Sequence, residues 1–391
     1  MKQRIKDLAK AYKAEMIDIR RHFHQYPELS TEEFETSAFI GQKLQEYGIA
    51  FKTGYSTTGI VAHIYGKNPD KKCIALRADM DALPLTEDTN LPFASQNPGV
   101  MHACGHDFHL ASLLGVARIL QETRQEWEGC IKLIFQPSEE DFRAGAKVMI
   151  AQGALENPRP SAIYAIHVLP EMPCGQVGFK EGKYMASTDE IYLTVQGKAG
   201  HGATPELNVD TVLMSAYILT ALQQIVSRQA PPYIPTVLSF GRIIGEGRTN
   251  INPAEVFIEG TLRTFDETWR AQAHEKIKCT VQHTAQAMGG NCKIFIDHGY
   301  PFVYNNPGLT RQARHWAEEF LSPSQVQELE FRMTAEDFSY FAQEIPACFF
   351  RVGTGKGHNL HTSTFDVEED ALEISMGLMA YFSISGLSIN E

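Results

Sequence analysis

Apolar positions along the first half of the chain follow two alternating patterns. Short apolar runs typical of buried strands lie at 60–66, 73–80, 131–137 and 163–168. Between the second and third runs, Leu and Ala residues at 110, 113, 114, 117 and 120 keep the spacing of a helix with one buried face. An amphipathic helix precedes all of them and ends near His24. This alternation predicts a mainly parallel sheet covered by helices.

The middle of the chain has a different pattern. A strand at 190–197 alternates apolar with polar residues, and a helix from about 209 to 228 follows it. Two strands, a helix from about 267 to 288 and a strand at 292–300 complete a βαββαβ order, which is that of a ferredoxin-like domain. We therefore predict an α/β protein with two domains: one formed by 1–183 and 301–391, and one inserted at 184–300.

Composition and charge narrow the classes of partner. The formal net charge of −12 argues against a nucleic-acid surface, which depends on clustered Lys and Arg. The charged N-terminus lacks the apolar core of a secretory signal, and no run approaches the roughly 20 apolar residues that span a membrane. The seven cysteines form no close pairs in the sequence, which favours reduced thiols. We expect a cytoplasmic protein that binds neither membrane nor nucleic acid.

Cysteine, histidine and glutamate recur in four short segments. Cys104 and His106 are two residues apart, a spacing that allows both to reach one metal ion, although alone the pair is a weak signal. Glu139 and Glu140 follow a predicted strand; they are either surface residues or a pair that divides metal binding from proton transfer. His167 ends another apolar run, where a histidine is more often a hydrogen-bonded core residue than a ligand.

The fourth segment, 357–362, contains two histidines, either of which is a candidate ligand. Each signal is modest, but together they form a mixed sulfur, nitrogen and oxygen set. Such a set suits zinc or another late first-row divalent ion and suits calcium or magnesium poorly.

These segments, in this order, resemble the M20 metallopeptidases over almost the whole chain. The resemblance is more specific to the aminoacylase and hippurate hydrolase branch, the N-acyl-L-amino acid amidohydrolases. It is carried by His24–Leu29, Arg77–Pro84, Met101–Asp107, Gln136–Glu140, Ile166–Val168 and His358–Phe365.

The resemblance implies a catalytic domain, with a mixed sheet between helices, that holds two metal ions. Cys104 would bridge the ions, and the remaining ligands would be His106, Glu140, His167 and His361. The resemblance makes zinc the first candidate, with manganese, cobalt and nickel as alternatives.

Three acidic residues receive other roles from the resemblance. Glu139 would be the general base that activates water and then protonates the leaving amine. Asp79 stands where wider relatives have a histidine ligand, and Asp81 matches an aspartate that orients a ligand. Their relative importance stays open.

The inserted domain would be a lid that also mediates homodimerisation. His201 matches the lid histidine that polarises the scissile carbonyl, and Asn250 matches a substrate-contacting position. Arg263 is a candidate for binding a substrate carboxylate.

The implied reaction is hydrolysis of N-acyl amino acids, N-acetyl or hippurate-like, or of short peptides. One alternative is a hydrolase with Cys104 as nucleophile, and another is a silent member of the fold. Phe142 and Arg143 replace the glycines common in relatives, a change that would either narrow the pocket or alter the acyl preference.

Overall fold

The computed structural model describes residues 1–141 and 145–388, which divide into two compact units. The larger unit contains Met1–Tyr184, Tyr304–Glu330 and the chain from Asp337 onward. The smaller unit contains Met185–Val303 together with Phe331–Glu336. Phe142 and Arg143, the two residues that replace the common glycines, lie outside the described residues.

Helices and strands are numbered along the whole chain. The α-helices are α1 (Lys2–Gln25), α2 (Phe34–Glu46), α3 (His106–Glu122), α4 (Ala146–Ala151), α5 (Thr211–Gln224), α6 (Glu267–Ala287), α7 (Pro307–Phe320), α8 (Ser339–Glu344) and α9 (Ala371–Ser388). The strands are β1 (Ala50–Tyr55), β2 (Gly59–Tyr65), β3 (Cys73–Asp79), β4 (Cys130–Gln136), β5 (Ala162–Leu169), β6 (Val177–Phe179), β7 (Gly182–Met185), β8 (Ser187–Gln196), β9 (Gly200–His201), β10 (Thr236–Ile244), β11 (Ile251–Asn252), β12 (Glu255–Thr264), β13 (Asn291–His298), β14 (Val303–Asn305), β15 (Val326–Glu328) and β16 (Ala347–Gly353).

The larger unit is built on an eight-stranded sheet in the order β1-β2-β4-β3-β5-β16-β6-β15. The central strands β4, β3, β5 and β16 are mutually parallel, whereas β1–β2, β2–β4 and β16–β6 are antiparallel. The expectation of a mainly parallel sheet is therefore correct for the centre. Towards the edges the sheet is mixed, since β15 pairs parallel with β6. The hairpin at Tyr55–Gly59 imposes the antiparallel pairing of β1 and β2, because so short a connection cannot cross over the sheet.

The core of the larger unit lies where α1, α3 and α9 pack together beside the sheet. Helix α9 is 18 residues long, with a mean hydropathy of 1.2, and so passes a length and composition test for a membrane span. However, 72% of it is buried inside the protein. Burial of this extent is that of a core helix.

The smaller unit is an antiparallel sheet in the order β10-β12-β8-β13, covered on one face by α5 and α6. Asp210 and Asp266 cap the two helices by accepting hydrogen bonds from main-chain N–H groups. With the chain order β8-α5-β10-β12-α6-β13, this is the ferredoxin-like topology. The predicted α/β fold with two domains is confirmed.

The fold also determines where polar side chains gather. The carboxyl ends of β3, β4, β5 and β16 meet at one edge of the larger sheet, because the four strands are parallel neighbours. The segments after β3, after β4 and after β16 begin at that edge, and His167 lies near the end of β5. In open α/β sheets this edge is where ligands bind.

Candidate metal centre

Cys104 lies at the centre of a cluster of ligand-type side chains. Its Sγ lies 3.4 Å from Nε2 of His167 and 3.4 Å from Nε2 of His361. The loop that carries Cys104 approaches β5 closely at Gly105, whose φ is 86°. A Cβ at this position would lie 2.6 Å from Val168 Cγ2, so glycine is required for the approach.

The imidazole of His167 is held with one ring nitrogen free to bind. Its Nδ1 lies 2.8 Å from the carbonyl oxygen of Val168 and donates to it, which leaves the Nε2 lone pair facing Cys104. Burial, together with the charge of Arg351, holds the pKa of His167 well below its usual range. A neutral imidazole with a fixed tautomer is the form in which histidine binds a metal.

His106 is fixed in the same way. Its Nδ1 lies 2.8 Å from the carbonyl oxygen of Asp81 and donates to it. Its buried Nε2 has no hydrogen-bond partner within residues 1–141 and 145–388. Burial alone would lower the pKa of His106, but the negative charge of Asp79 and the neighbouring sulfur of Cys104 raise it well above the usual value. The surroundings of Nε2 therefore stabilise a positive charge, whether a proton or a metal ion.

The two adjacent carboxylates after β4 point to different partners. Glu140 Oε1 lies 3.5 Å from Nε2 of His361, and the Glu140 main-chain N–H donates to Oδ2 of Asp81 at 2.9 Å. Glu139 is buried; its Oε2 lies 4.0 Å from His106 Nε2, and its Oε1 accepts from the Asp337 N–H at 3.4 Å. The resemblance implies a ligand role for Glu140 and a general-base role for Glu139. The structure places Glu140 beside His361 and Glu139 beside His106, and ligand atoms of His106, Glu139 and Glu140 also lie within 4.8 Å of one another.

His361 closes the cluster from the loop after β16. Its φ is 61°, and its main-chain N–H donates to the carbonyl oxygen of Ala103 at 2.8 Å. Its side chain is 54% exposed, which makes it the most open member of the cluster. Of the two histidines in this loop, His361 is therefore the one placed beside Cys104.

Asp79 and Asp81 occupy separate positions. Burial favours protonation of Asp79, but His106, His109 and Arg77 keep its pKa well below the usual value. Asp79 accepts from Arg77 at 2.7 Å and from Nδ1 of His109 at 2.6 Å. Asp81 Oδ1 lies 3.3 Å from Nδ1 of His106, and its Oδ2 accepts from the Glu140 N–H, so Asp81 contacts two candidate ligands directly.

The donor set fits two ions that share one sulfur ligand. Ligand atoms of Cys104, His106 and His167 lie within 4.8 Å of one another, and so do those of Cys104, Glu140 and His361. Cys104 belongs to both groups, and the unpartnered Nε2 of His106 faces into one of them. Thiolate, imidazole and carboxylate together suit late first-row divalent ions.

Comparison with known proteins agrees with this arrangement. Residues 75–384 match the model of Peptidase family M20/M25/M40. The chain belongs to this family. The N-acetyl-L-cysteine deacetylase of Bacillus subtilis is 40% identical, with 92% of this chain and 85% of the relative aligned. The N-acyl-L-amino acid amidohydrolase of Geobacillus stearothermophilus is 38% identical over 78% of this chain and 81% of the relative.

A solved M20 structure is also similar throughout. The Bacillus subtilis YXEP protein, described as a dinuclear metal binding peptidase from the M20 family, matches with a TM-score of 0.81 and 33% identity. The match covers 97% of this chain and 99% of that protein. The predictions of M20 membership and of a metal-dependent amidohydrolase are therefore confirmed at the level of the family.

In the smaller unit of this M20 protein, His201 lies on a two-stranded antiparallel sheet and Asn250 directly precedes its second strand. Strand β9 pairs with β11, and the Gly202 N–H donates to the Asn250 carbonyl oxygen at 2.9 Å. Both side chains are exposed. Arg263 lies near the far end of β12, about 26 Å along the strand from its start, which closely follows β11 in the chain. Within the smaller unit, the structure thus groups His201 with Asn250 but not with Arg263.

His109 was not among the site residues predicted from the sequence. This histidine is fully buried on α3, three residues after His106; it donates to Asp79 and its Nε2 accepts from the Val168 N–H at 3.0 Å. It thereby connects the end of β3 to β5 directly behind the cluster. The i, i+3 spacing of the two histidines on one helix face was the available signal.

Proposed function

We propose that this M20 protein hydrolyses the amide bond of N-acyl amino acids, releasing a carboxylate and a free amino acid. The observation that carries the proposal is the buried cluster around Cys104 with the carboxylate of Glu139 beside it. Two relatives support the substrate class, since one is a deacetylase of N-acetyl-L-cysteine and the other an amidohydrolase of N-acyl-L-amino acids. Short peptides with an acylated terminus belong to the same chemical class.

Five side chains would hold the metal ions. Cys104 would bridge them, with His106 and His167 on one side and Glu140 and His361 on the other. Bound divalent ions supply Lewis-acid polarisation of a carbonyl group and acidify water. We propose zinc on the basis of the thiolate and imidazole ligands, with manganese, cobalt and nickel as the ions to test beside it.

Glu139 would transfer the protons. It is buried next to His106, and its Oε1 is held by the Asp337 N–H, so the carboxylate is directed rather than freely rotating. A carboxylate in this position can accept a proton from water and pass it to the leaving amine. Asp81 would position the His106 imidazole and the Glu140 main chain for this proton transfer.

His201 would stabilise the developing oxyanion. Its Nδ1 accepts a hydrogen bond from the Ala203 N–H at 3.0 Å, so the neutral ring carries its proton on Nε2. That exposed N–H is a donor of the kind that an oxyanion requires. Asn250, whose carbonyl oxygen accepts from the Gly202 N–H beside His201, would contact the substrate. Arg263, whose pKa is lowered by burial, remains our candidate for a substrate carboxylate.

A thiol mechanism with Cys104 as nucleophile is the less favoured alternative. Burial raises the pKa of the Cys104 thiol, whereas a nucleophilic cysteine needs a lowered one. Metal coordination, in contrast, deprotonates a thiol outright. The buried environment of Cys104 therefore supports a ligand role.

Metal removal separates the two mechanisms. We expect chelated protein to lose hydrolysis of every substrate in a panel of N-acetyl, N-benzoyl and longer N-acyl amino acids, because no water is then activated. Adding back zinc, manganese, cobalt or nickel singly should restore it, and the most active pair of ion and substrate defines the specificity. Metal per chain is measured in parallel. Unchanged turnover after complete chelation would rule out the proposed mechanism.

We further propose that the smaller unit mediates a homodimer through the side that carries β10. Strand β10 is an edge strand, and α6 packs over the opposite edge strand, β13. Helix α5 contacts the central strands β8 and β12 and exposes Val212, Leu213 and Tyr217. An open strand edge with exposed apolar groups on the neighbouring helix is suited to pairing with a second copy.

Charges placed on this surface should disrupt the dimer. Leu213→Glu combined with Tyr217→Glu should raise the dimer dissociation constant about 100-fold or more, because like charges would face each other across the two-fold axis. Sedimentation velocity over a range of concentrations measures it. Phe295→Glu, at an exposed position on β13, is the matched control and should leave the dimer intact. A monomeric wild-type chain would contradict the proposal.

We also propose a cytoplasmic location. All seven cysteines are free, and most are buried. Such thiols suit a reducing compartment.

A further inference from the structure

A fully buried ion network lies behind Glu139. Arg77 on β3 donates to Asp337 at 2.8 Å, to Asp79 at 2.7 Å and to the side-chain oxygen of Gln136 at 2.7 Å. Gln136 in turn donates to both carboxylate oxygens of Asp337, at 2.9 and 2.7 Å. Asp337 thus receives hydrogen bonds from the last residue of β4, immediately before the turn that carries Glu139.

Asp337 also contacts the far side of the same loop. The Ala146 N–H, at the start of α4, donates to Oδ2 of Asp337 at 2.9 Å. Gly145 makes this approach possible, since its φ is 81° and a Cβ there would lie 2.5 Å from that same oxygen. One carboxylate therefore joins both ends of the connection between β4 and α4.

The main chain of Asp337 acts on Glu139 directly. Its N–H donates to Glu139 Oε1 at 3.4 Å. The side chain fixes where this N–H lies, because hydrogen bonds from Arg77, Gln136 and the Ala146 N–H tie the Asp337 carboxylate to β3, β4 and α4. The turn that immediately precedes Glu139 is held by a contact that does not involve Asp337, because Glu33 accepts a hydrogen bond from the Ser138 N–H at 2.8 Å.

We propose that Asp337 is a positioning residue that holds the Glu139 carboxylate in its reactive orientation, with Arg77 as its counter-charge. The inference rests on the proposed role of Glu139 as general base. In this proposal Asp337 acts through the N–H that it places on Glu139 and through the loop ends that it joins. Replacing a residue that orients a reactive carboxylate in this way lowers turnover more than it weakens substrate binding.

Asp337→Asn and Asp337→Ala test the proposal. Asparagine keeps one oxygen acceptor, and Arg77 retains Asp79 and Gln136 as partners, so the variant should fold. We expect kcat per metal-loaded chain to fall about 10- to 100-fold, more for alanine than for asparagine, with KM nearly unchanged and metal content retained. Gln136→Met, which conserves volume but removes two bonds to Asp337 and the acceptor of Arg77 Nε, should lower kcat in the same direction.

Asp189→Asn is the matched control. Asp189 is likewise a buried carboxylate bound to an arginine, Arg270, but it lies in the smaller unit. Its replacement should leave kcat per metal-loaded chain close to wild type. A wild-type kcat in both Asp337 variants, or an equal fall in Asp189→Asn, would overturn the proposed role of Asp337. Glu139→Gln then shows how far the failure extends. If Glu139→Gln is inactive, only the role of Asp337 is wrong; if Glu139→Gln is active, the proposed function is wrong as well.

Discussion

Glu139→Gln is expected to lower kcat for N-acyl amino acids on the order of 100- to 10,000-fold while both metal ions stay bound. Glutamine has nearly the same shape and can still accept from the Asp337 N–H, but it cannot take up a proton. The ligand set built on Cys104 does not require Glu139, so metal affinity should change little. Steady-state kinetics and metal content per chain measure the two effects separately.

The control for this variant is Glu156→Gln, an exposed carboxylate paired with Arg159 on the surface. It should have wild-type kinetics. If Glu139→Gln retains turnover near wild type, proton transfer takes place elsewhere and the assignment of the general base is wrong. If it loses metal as well as activity, Glu139 is a ligand and its separation from Glu140 fails.

Much of the site could be predicted because it follows from strand order. Apolar runs identified β3, β4 and β5, and parallel neighbours place their carboxyl ends together, so the carboxylates after β4 and His167 on β5 had to lie near one another. The order of motifs then indicated the family. The pattern could not show which side chains Glu139 and Glu140 would each contact, because the two residues are adjacent in sequence and their contacts depend on the conformation of the turn after β4.

Other features had no local signal in the sequence. Asp337 is about 200 residues from Gln136 in the chain, and its role depends on a hydrogen bond that no spacing rule predicts. Residues 331–336 belong to the smaller unit although they follow helix α7 of the larger one. The sequence did not predict the antiparallel pairing of β1 with β2, because β1 is almost wholly exposed and therefore lacks an apolar run.

Cys104→Ser is the second variant with a large expected effect. A serine hydroxyl is a poorer ligand than a thiolate for zinc and similar ions, and the residue would lose contact with both proposed ions at once. We expect metal content to fall below two ions per chain and kcat to fall on the order of 1,000-fold, which corresponds to about 4 kcal/mol of lost stabilisation of the transition state. Metal analysis of purified protein, followed by kinetics at saturating metal, measures both.

Cys348→Ser is the matched control, since Cys348 is a fully buried thiol on β16 outside the proposed ligand set. It should keep its metal and its kcat. The metal content of Cys104→Ser then distinguishes the two roles of this cysteine. A nucleophile can be removed without loss of metal, because the ions would not depend on it. A bridging ligand cannot, because each ion would lose one donor from a small set. Full metal content in an inactive Cys104→Ser variant would therefore favour the thiol mechanism over the two-metal one.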